Sequence, residues 1–275
     1  MDGCETESGR AGSGEVRTAV VQRIVLMTDF GGGLYVGQMR ARLNALLPMT
    51  PVIDLVHDLP AFRPDLAAYL LPALVRDMPD DTLYLCVVDP GVGGERAALL
   101  IQTDSGWFIG PDNGLLAPLV RRVPNACAWR IGWQPPVMSA SFHGRDWFVP
   151  AAARLCQGLD LQIASLDTEA LVGADWPTET PAILYVDHFG NLISGLNASG
   201  RDHRLWLQVG AERLPHARTF CEVASGAPFW YENAFGLVEI AVNQGRADQL
   251  FGLAAGDPIG PFIRVADRAG LLTAN

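Results

Sequence analysis

The chain has 275 residues, of which 49% are hydrophobic and 18% charged, a composition that excludes a disordered chain and suffices for one large domain or two average ones. Twenty Lys and Arg residues against thirty Asp and Glu residues give a net charge of -10. That balance argues against nucleic acid or an anionic membrane surface as a partner, because both are bound through basic faces.

The first 20 residues are acidic and rich in Gly and Ser, which predicts a flexible tail. They lack the basic start and apolar stretch of a signal peptide, and no apolar run reaches the roughly 20 residues of a membrane span. We therefore expect a cytoplasmic protein with no membrane partner. Five cysteines without a C-x-x-C pair indicate reduced thiols rather than a disulfide framework.

Strand and helix patterns alternate from residue 21 to residue 166. The predicted strands are Arg23–Thr28, Val52–Val56 and Thr82–Val88, with a hairpin formed by Ala97–Gln102 and Trp107–Ile109. The predicted helices are Tyr35–Leu47, Asp65–Val75, Leu115–Val120 and Trp147–Leu155. Continuous apolar strands separated by helices predict an α/β N-terminal domain with a mostly parallel sheet covered on both faces.

The pattern changes after residue 166. Residues 167–180 are acidic and contain Pro177, so they are predicted to be a linker. Strand signals then dominate residues 181–275, at Ala182–Val186, Leu192–Ser194, Leu205–Val209, Leu237–Val242 and Ile259–Val265. We expect a smaller all-β, barrel-like C-terminal domain.

The sequence TDFGGG follows the first predicted strand at residues 28–33. Ligands of open α/β sheets lie beyond the carboxyl ends of the strands, and the carboxylate of Asp29 can accept hydrogen bonds from two ribose hydroxyls. Asp29 can equally cap the helix that begins near Leu34. The glycines do not form G-x-G-x-x-G, so a dinucleotide fingerprint is absent.

The sequence VDPGVGGER follows the third predicted strand at residues 88–96. Its glycines resemble a phosphate loop, but the next segment is predicted to be a strand, so no helix N-terminus is available for a pyrophosphate. Asp89 and Arg96 lie seven residues apart across the glycine-rich turn, which can fold them into an ion pair. The pair is either a site or a structural salt bridge.

Three further polar motifs have structural alternatives. His143 lies beside a glycine before an apolar helix, although a lone histidine is more often structural. Asp112 and Asn113 lie in a turn and can cap the helix from Leu115. The DHFGN sequence at residues 187–191 reads as a hairpin turn, but such a polar and aromatic cluster can also sandwich a base and bind an amino-acid head group.

The sequence gives little support for metal or nucleophile chemistry. None of the five histidines forms H-x-x-x-H or H-E-x-x-H, and neither a G-x-S-x-G nucleophile elbow nor a Walker loop is present. We therefore expect neither a metal nor a cofactor.

Six motifs taken together carry a specific resemblance. They are TDFG…YVGQM, VVDPGVGGER, IGPDNGLL, SFHGRDWFVPAAA, VDHFGNLIS and YENAFGLVEIAVNQGRA. In wording and order the chain, from about Arg23 onward, resembles the S-adenosylmethionine (SAM) hydroxide adenosyltransferase family. This family, also called adenosine-forming SAM hydrolase, is related to bacterial fluorinating and chlorinating enzymes that use SAM.

The resemblance implies an N-terminal α/β domain, a C-terminal β-barrel, and a homotrimer that binds SAM between neighbouring subunits. The implied reaction converts SAM and water to adenosine and L-methionine, with SAM as substrate and no cofactor. The implied catalytic residues are Asp89, Arg96 and His143. The implied substrate-binding residues are Asp29 at the ribose, Asp187, Phe189 and Asn191 around methionine and base, Phe220, Asn233 and Phe235 near adenine, and Phe30 and Phe142.

Differences from the halogenating relatives favour water as the nucleophile. Those relatives carry Tyr-Ser where this chain has His143-Gly144, and Tyr in place of Asp89. The chain also departs from the family that it resembles, because the loop between Gly31 and Tyr35 is about one residue short and lacks an acidic residue often found there. The DHFGN motif differs by one residue from the halogenase version, which leaves Asp187 less securely placed than Asn191.

The implied chemistry needs an aligned water rather than an acid. The leaving group of a sulfonium is a neutral thioether, so Arg96 and His143 need only hold the water and stabilise developing hydroxide. Asp89 can accept a proton or hold Arg96 in place, and the sequence leaves both roles open. Three alternatives stay open as well: a SAM-dependent halogenase, a non-catalytic SAM or adenosine binder, and a metal-dependent phosphohydrolase that uses Asp29 and Asp89.

Overall fold

The structure, a computed structural model, describes residues 21–123 and 126–264. It divides into two compact units between Thr178 and Glu179, inside the segment predicted to be a linker. The tail predicted for residues 1–20 lies outside the described residues. No helix in the described ranges is both long enough and apolar enough to span a bilayer.

The N-terminal unit is built on a seven-stranded sheet. Its strands are β1 (Arg23–Thr28), β2 (Val52–Val56), β3 (Thr82–Val87), β4 (Ala98–Thr103), β5 (Gly106–Pro111), β6 (Cys127–Ile131) and β7 (Ile163–Leu166), in the order β2-β1-β3-β5-β4-β6-β7. β1 pairs in parallel with β2 and β3, and β3 with β5. β4 is antiparallel to β5 and β6, and β7 to β6, so only β4 and β7 oppose the common direction. The prediction of a mostly parallel sheet is confirmed.

Helices cover this sheet because its central strands are apolar on both faces. The helices are α1 (Leu34–Leu46), α2 (Pro64–Val75), α3 (Ala117–Arg122) and α4 (Val149–Cys156). α1 packs with α4 and α2 with α3. Val25 and Leu26, which point to opposite faces of β1, are both fully buried. The predicted hairpin is the antiparallel β4–β5 pair.

The C-terminal unit consists mostly of antiparallel strands. A four-stranded sheet, in the order β12-β13-β9-β8, contains β8 (Thr180–Val186), β9 (Leu192–Asn197), β12 (Pro228–Glu232) and β13 (Leu237–Val242). A three-stranded sheet, in the order β11-β10-β14, contains β10 (Trp206–Val209), β11 (Glu212–Leu214) and β14 (Phe262–Ile263). Trp230 from the first sheet and Leu207 from the second share one buried core. The sequence analysis did not predict β11, β12 or the short helix α5 (Ala247–Phe251).

Candidate active site

Asp29 and Asp89 lie at one edge of the N-terminal sheet, because β1 and β3 are parallel neighbours and each acid follows the carboxyl end of its strand. Asp29 Oδ2 accepts a hydrogen bond from the backbone N–H of Phe62 at 3.0 Å. Helix α1 begins after Gly33 without a side-chain cap, so the capping alternative for Asp29 is wrong. Burial raises the pKa of Asp29, and repulsion from Asp89 acts in the same direction. The hydrogen bond from the Phe62 N–H opposes this shift without cancelling it.

Asp89 and Arg96 form an almost buried ion pair across the glycine-rich loop. Arg96 Nε lies 3.1 Å from each carboxylate oxygen, and Arg96 Nη2 also donates to Asp89 Oδ2. The two side chains are only 4% and 9% exposed, respectively. The pair occupies both oxygens of Asp89 in a fork that lysine cannot reproduce.

His143 joins this pair through its Nδ1 atom, which lies 2.9 Å from Arg96 Nη2. A guanidinium only donates hydrogen bonds, so Nδ1 accepts, and the neutral ring carries its proton on Nε2. Burial lowers the pKa of His143 below its ordinary value of 6.5, with repulsion from Arg96 acting in the same direction and attraction to Asp89 and Asp146 opposing it. The ring is therefore neutral at pH 7.

One glycine allows these two motifs to approach. Gly93 has φ +84, and a Cβ atom there would lie 2.5 Å from the backbone oxygen of Ala140. The loop that carries Arg96 thus packs directly against the segment before His143. A larger residue would separate them, because the opposing atom belongs to the backbone.

Arg96 keeps one donor unused. Its Nη1 atom is buried and has no hydrogen-bond partner among residues 21–123 and 126–264. The guanidinium carbon lies 5.6 Å from the ring centroid of Trp147 and 5.1 Å from that of Phe148. Both rings follow His143 on the π-helical turn Gly144–Phe148. An unpaired donor in such a dry position is costly unless a ligand or water supplies an acceptor.

Three aromatic rings pack together beside His143. The ring centroids of Phe30, Tyr35 and Phe142 lie between 5.3 and 5.9 Å apart. A Cβ atom on Gly144 would lie 3.5 Å from the rings of both phenylalanines. The sequence analysis did not single out Tyr35, whose signal is its place in the first turn of α1, directly after the glycine loop.

A hydrogen-bonded chain braces the loop of Asp29. Thr28 Oγ1 lies 2.9 Å from His57 Nδ1 and accepts the N–H of Phe30 at 3.3 Å. The His57 carbonyl accepts the N–H of Gly31 at 2.6 Å. The Nε2 atom of His57 lies 3.2 Å from Asp54 Oδ1 without forming a hydrogen bond to it. His57 lacks a recognisable motif, so only the fold reveals this role.

The turn at residues 110–114 is held by structural contacts. Asn113 Oδ1 accepts the N–H of Leu115 at 3.2 Å, and Asn113 Nδ2 donates to the Val88 carbonyl at 2.9 Å. Asp112 Oδ1 accepts the N–H of Val172 at 3.1 Å. These contacts support the turn rather than cap α3, which begins at Ala117.

The C-terminal unit has a separate cavity of about 620 Å³. Four residues predicted to bind substrate line it, namely Asp187, Phe189, Asn191 and Phe220. Tyr231 and Arg246, which were not predicted, line it as well. Asp187 accepts hydrogen bonds from Asn191, from the backbone N–H at 2.8 Å and from Nδ2 at 3.0 Å. The predicted turn between β8 and β9 therefore presents an anchored carboxylate.

Two other predicted residues lie at the turn between β12 and β13 rather than in the lining of this cavity. Asn233 Oδ1 accepts the N–H groups of Phe235 at 3.0 Å and Leu237 at 2.9 Å. Asn233 Nδ2 donates to Glu239 Oε2 at 2.9 Å, and Glu239 is only 4% exposed. Burial raises the pKa of Glu239, and the hydrogen bonds of Tyr231 and the two asparagines oppose that shift.

The described part of the chain contains no group of three or more His, Cys, Asp or Glu residues that could hold a metal ion. The fold and site thus define a two-unit protein, an α/β unit with a buried Asp–Arg–His cluster followed by a mostly β unit whose cavity is lined by aromatic and polar side chains. Family models for the SAM hydroxide adenosyltransferase N-terminal and C-terminal domains match residues 24–165 and 181–260. The chain belongs to this family.

Individual relatives agree over most of their length. The (R)-S-adenosyl-L-methionine hydrolase of Thermus thermophilus is 38% identical, over 86% of this chain and 98% of that protein. The protein of the same name from Salinispora arenicola is 34% identical, over 86% and 96%. A crystal structure of a conserved protein from Thermotoga maritima superposes with a TM-score of 0.75 at 30% identity, covering 86% of this chain and 98% of that one.

Proposed function

We propose that this protein hydrolyses SAM to adenosine and L-methionine. The observation that carries the proposal is the buried Asp89–Arg96–His143 cluster with its unpaired Arg96 Nη1 donor, in a chain whose relatives are named SAM hydrolases. SAM is the only partner that this reaction requires besides water. We place the reaction in the cytoplasm, where the expected reduced cysteines persist.

The reaction is a displacement at the ribose C5′ carbon. The water oxygen forms a bond to C5′ while the electron pair of the C5′–sulfur bond moves to sulfur, which leaves as the neutral thioether of methionine. One water proton stays on the adenosine hydroxyl and the other is released. Alignment of the water with the breaking bond contributes on the order of 7–11 kcal/mol to such a reaction.

The cluster suits the orientation of a water better than the removal of its proton. Both oxygens of Asp89 are engaged by Arg96, and His143 has Nδ1 occupied and a proton on Nε2. The groups left for a water are therefore donors, Arg96 Nη1 and His143 Nε2–H. Donors stabilise the hydroxide character that develops as the bond to C5′ forms. In this proposal Asp89 holds Arg96, and one water proton passes to solvent before or as the bond to C5′ forms, so that the donors face an oxygen with developing negative charge.

The remaining residues are assigned to the substrate as the family resemblance implies, and the chemistry of their side chains supports the assignment. Asp29 accepts the ribose hydroxyls, and the cluster of Phe30, Tyr35 and Phe142 offers ring faces that attract a sulfonium cation. We assign the methionine and base ends to residues of the C-terminal unit, namely Asp187, Phe189, Asn191, Phe220, Asn233 and Phe235.

The decisive experiment incubates purified protein with SAM and EDTA, with and without chloride or fluoride, and separates the products by chromatography. We expect adenosine and methionine in equal amounts, independent of halide. A 5′-halo-5′-deoxyadenosine product would establish a halogenase instead. Tight SAM binding without turnover would indicate a binding protein, and activity that EDTA abolishes would contradict a metal-independent reaction.

We further propose a homotrimer that binds SAM between neighbouring subunits, as the family resemblance implies. We assign the N-terminal residues of each site to one subunit and the C-terminal residues to its neighbour. Sedimentation should give three times the mass of the 29.6 kDa chain. Co-expressed His143→Ala and Asp187→Ala subunits should regain activity, because some mixed sites carry neither substitution. A fully active monomer would contradict this assembly.

A further inference from the structure

A buried carboxylate lies behind the cavity of the C-terminal unit. Glu239 belongs to β13, is 4% exposed, and accepts hydrogen bonds from the Tyr231 hydroxyl and from Asn233 Nδ2. Asn191 also donates to it. Tyr231 and Asn191 line the cavity, so Glu239 touches residues that face a ligand without lining the cavity itself.

The direction of each hydrogen bond in this network follows from one fixed amide. Asn233 Oδ1 accepts two backbone N–H groups, so the amide cannot turn over and Nδ2 must face Glu239. The Tyr231 hydroxyl has one proton, which it spends on Glu239 Oε1. The Tyr231 oxygen can then offer only lone pairs to the cavity.

The charges around the cavity fit the same polarity. Asp187 contributes a carboxylate to the lining. The guanidinium of Arg246 directs one N–H from each of its three nitrogens away from the ligand, two to Asp248 at 3.0 and 2.8 Å and one to the His188 carbonyl at 3.0 Å. The wall formed by Asp187 and Tyr231 therefore presents acceptors, which suit an ammonium or amino group.

We propose that Glu239 is a positioning residue that fixes the hydroxyl proton of Tyr231 away from the cavity, so that Tyr231 accepts a hydrogen bond from an N–H group of the ligand. The inference rests on the proposed function, in which SAM carries two such groups, the α-ammonium of its methionine end and the amino group of adenine. It adds Tyr231 to the groups that touch the substrate and makes Glu239 act through it.

The substitution Glu239→Gln tests this role because the side chain keeps its shape. The fixed Asn233 donor requires the glutamine oxygen, so the glutamine NH₂ faces Tyr231. The Tyr231 hydroxyl must then accept, and its proton turns toward the cavity. We expect KM for SAM to rise about tenfold, as for the loss of a hydrogen bond to a charged network, with kcat changed less than twofold. Glu212→Gln, at an exposed position of β11, is the matched control.

A double-mutant cycle separates positioning from a purely structural role. In a Tyr231→Phe background, Glu239→Gln should change KM less than twofold, because the hydroxyl that it reorients is gone. A loss of equal size in both backgrounds would overturn the proposal and leave Glu239 as a structural support. Circular dichroism and thermal melting establish that each variant is folded.

Titration calorimetry with the separate products identifies the end of SAM that Tyr231 contacts. Glu239→Gln should weaken the binding of either L-methionine or adenosine about tenfold and leave the affinity for the other product within twofold of the wild type. Unchanged binding of both products would overturn the proposal. Because these measurements need no turnover, they stay decisive even if the wild-type protein binds SAM without hydrolysing it, an outcome that sinks only the proposed function.

Discussion

The two units bury polar clusters of opposite hydrogen-bonding character. In the N-terminal unit, Arg96 contacts both carboxylate oxygens of Asp89 and retains an unused donor. In the C-terminal unit, Tyr231 and Asn233 spend their donors on Glu239, and the Tyr231 oxygen keeps its lone pairs. The group left over after internal pairing therefore determines what a buried cluster can bind. A surplus donor suits an oxygen nucleophile, and a surplus acceptor suits an amine.

Stability alone does not account for either cluster. Desolvation of buried ion pairs offsets much of their attraction, and apolar replacements of similar volume are often neutral or stabilising. The unpaired Arg96 Nη1 atom adds a further cost. Ligand contacts explain both clusters better, and substitutions within the clusters test this explanation.

The substitution Arg96→Lys should have the largest effect on turnover. The guanidinium of Arg96 holds Asp89, contacts His143 and still has Nη1 free. Lysine keeps the charge but cannot make these contacts together. We expect kcat to fall about 100- to 1000-fold, as for removal of one preorganised donor, measured from adenosine release. Arg204→Lys, on a side chain that is 87% exposed, is the control and should retain wild-type activity. A comparable kcat in both variants would remove the Arg96 donor from the mechanism.

The substitution Gly93→Ala should disrupt the N-terminal cluster without altering its charges. The new methyl group would meet the Ala140 oxygen at 2.5 Å in a backbone conformation with φ +84. We expect a loss of about 2 kcal/mol in the free energy of unfolding by urea, together with a lower kcat. Gly91→Ala has no atom within 4 Å of its added Cβ and is the matched control. Equal stability of the two variants would show that the close approach is unimportant.

The substitution His143→Ala should lower kcat at least tenfold, which corresponds to about 1.4 kcal/mol in the barrier, while SAM binding weakens less. It removes the Nε2–H donor and leaves Arg96 Nη2 with only its contact to Asp89. Single-turnover rates and equilibrium Kd values, measured individually, separate the effect on the reaction from the effect on SAM binding. A folded variant with wild-type kcat would contradict any role for the imidazole in orienting the water.

Strong apolar runs and short spacings in the sequence predicted some strands and one side-chain pair, whereas weaker patterns were missed. The strand β1 is a continuous apolar run, and its predicted ends match the structure. The pairing of Asp89 with Arg96 followed from a short spacing across a turn. The strands β6 and β7 were not predicted, because they are short, partly exposed and without clear periodicity.

The hydrogen-bond polarity of the two clusters was not predictable from local pattern. The tautomer of His143 depends on Arg96, 47 residues away in the chain. The partner of Asp29 is a backbone N–H 33 residues away, at Phe62. Glu239 lies inside the apolar strand LVEIAV, where a single acid reads as an outward-facing residue. Long-range pairing decides which donors and acceptors remain, and periodicity carries no information about it.

The pH dependence of stability tests the assignment of a neutral His143. The pKa of His143 in the folded protein lies below its ordinary value of 6.5, so the unfolded chain takes up this proton first as the pH falls. His143 therefore favours the folded state above pH 6.5, and that contribution is lost as the pH falls from about 6.5 through the folded-state pKa.

Burial also lowers the pKa of His216, which contributes in the same direction, so the wild type must be compared with a variant that lacks only His143. Urea unfolding of the wild type and of His143→Gln is measured between pH 7.5 and 5 in steps of about 0.5 pH unit. The free energy of unfolding should depend less steeply on pH in the variant. Identical slopes would mean that His143 titrates normally in the folded state, and the Nε2–H donor assigned to it would lose its electrostatic basis.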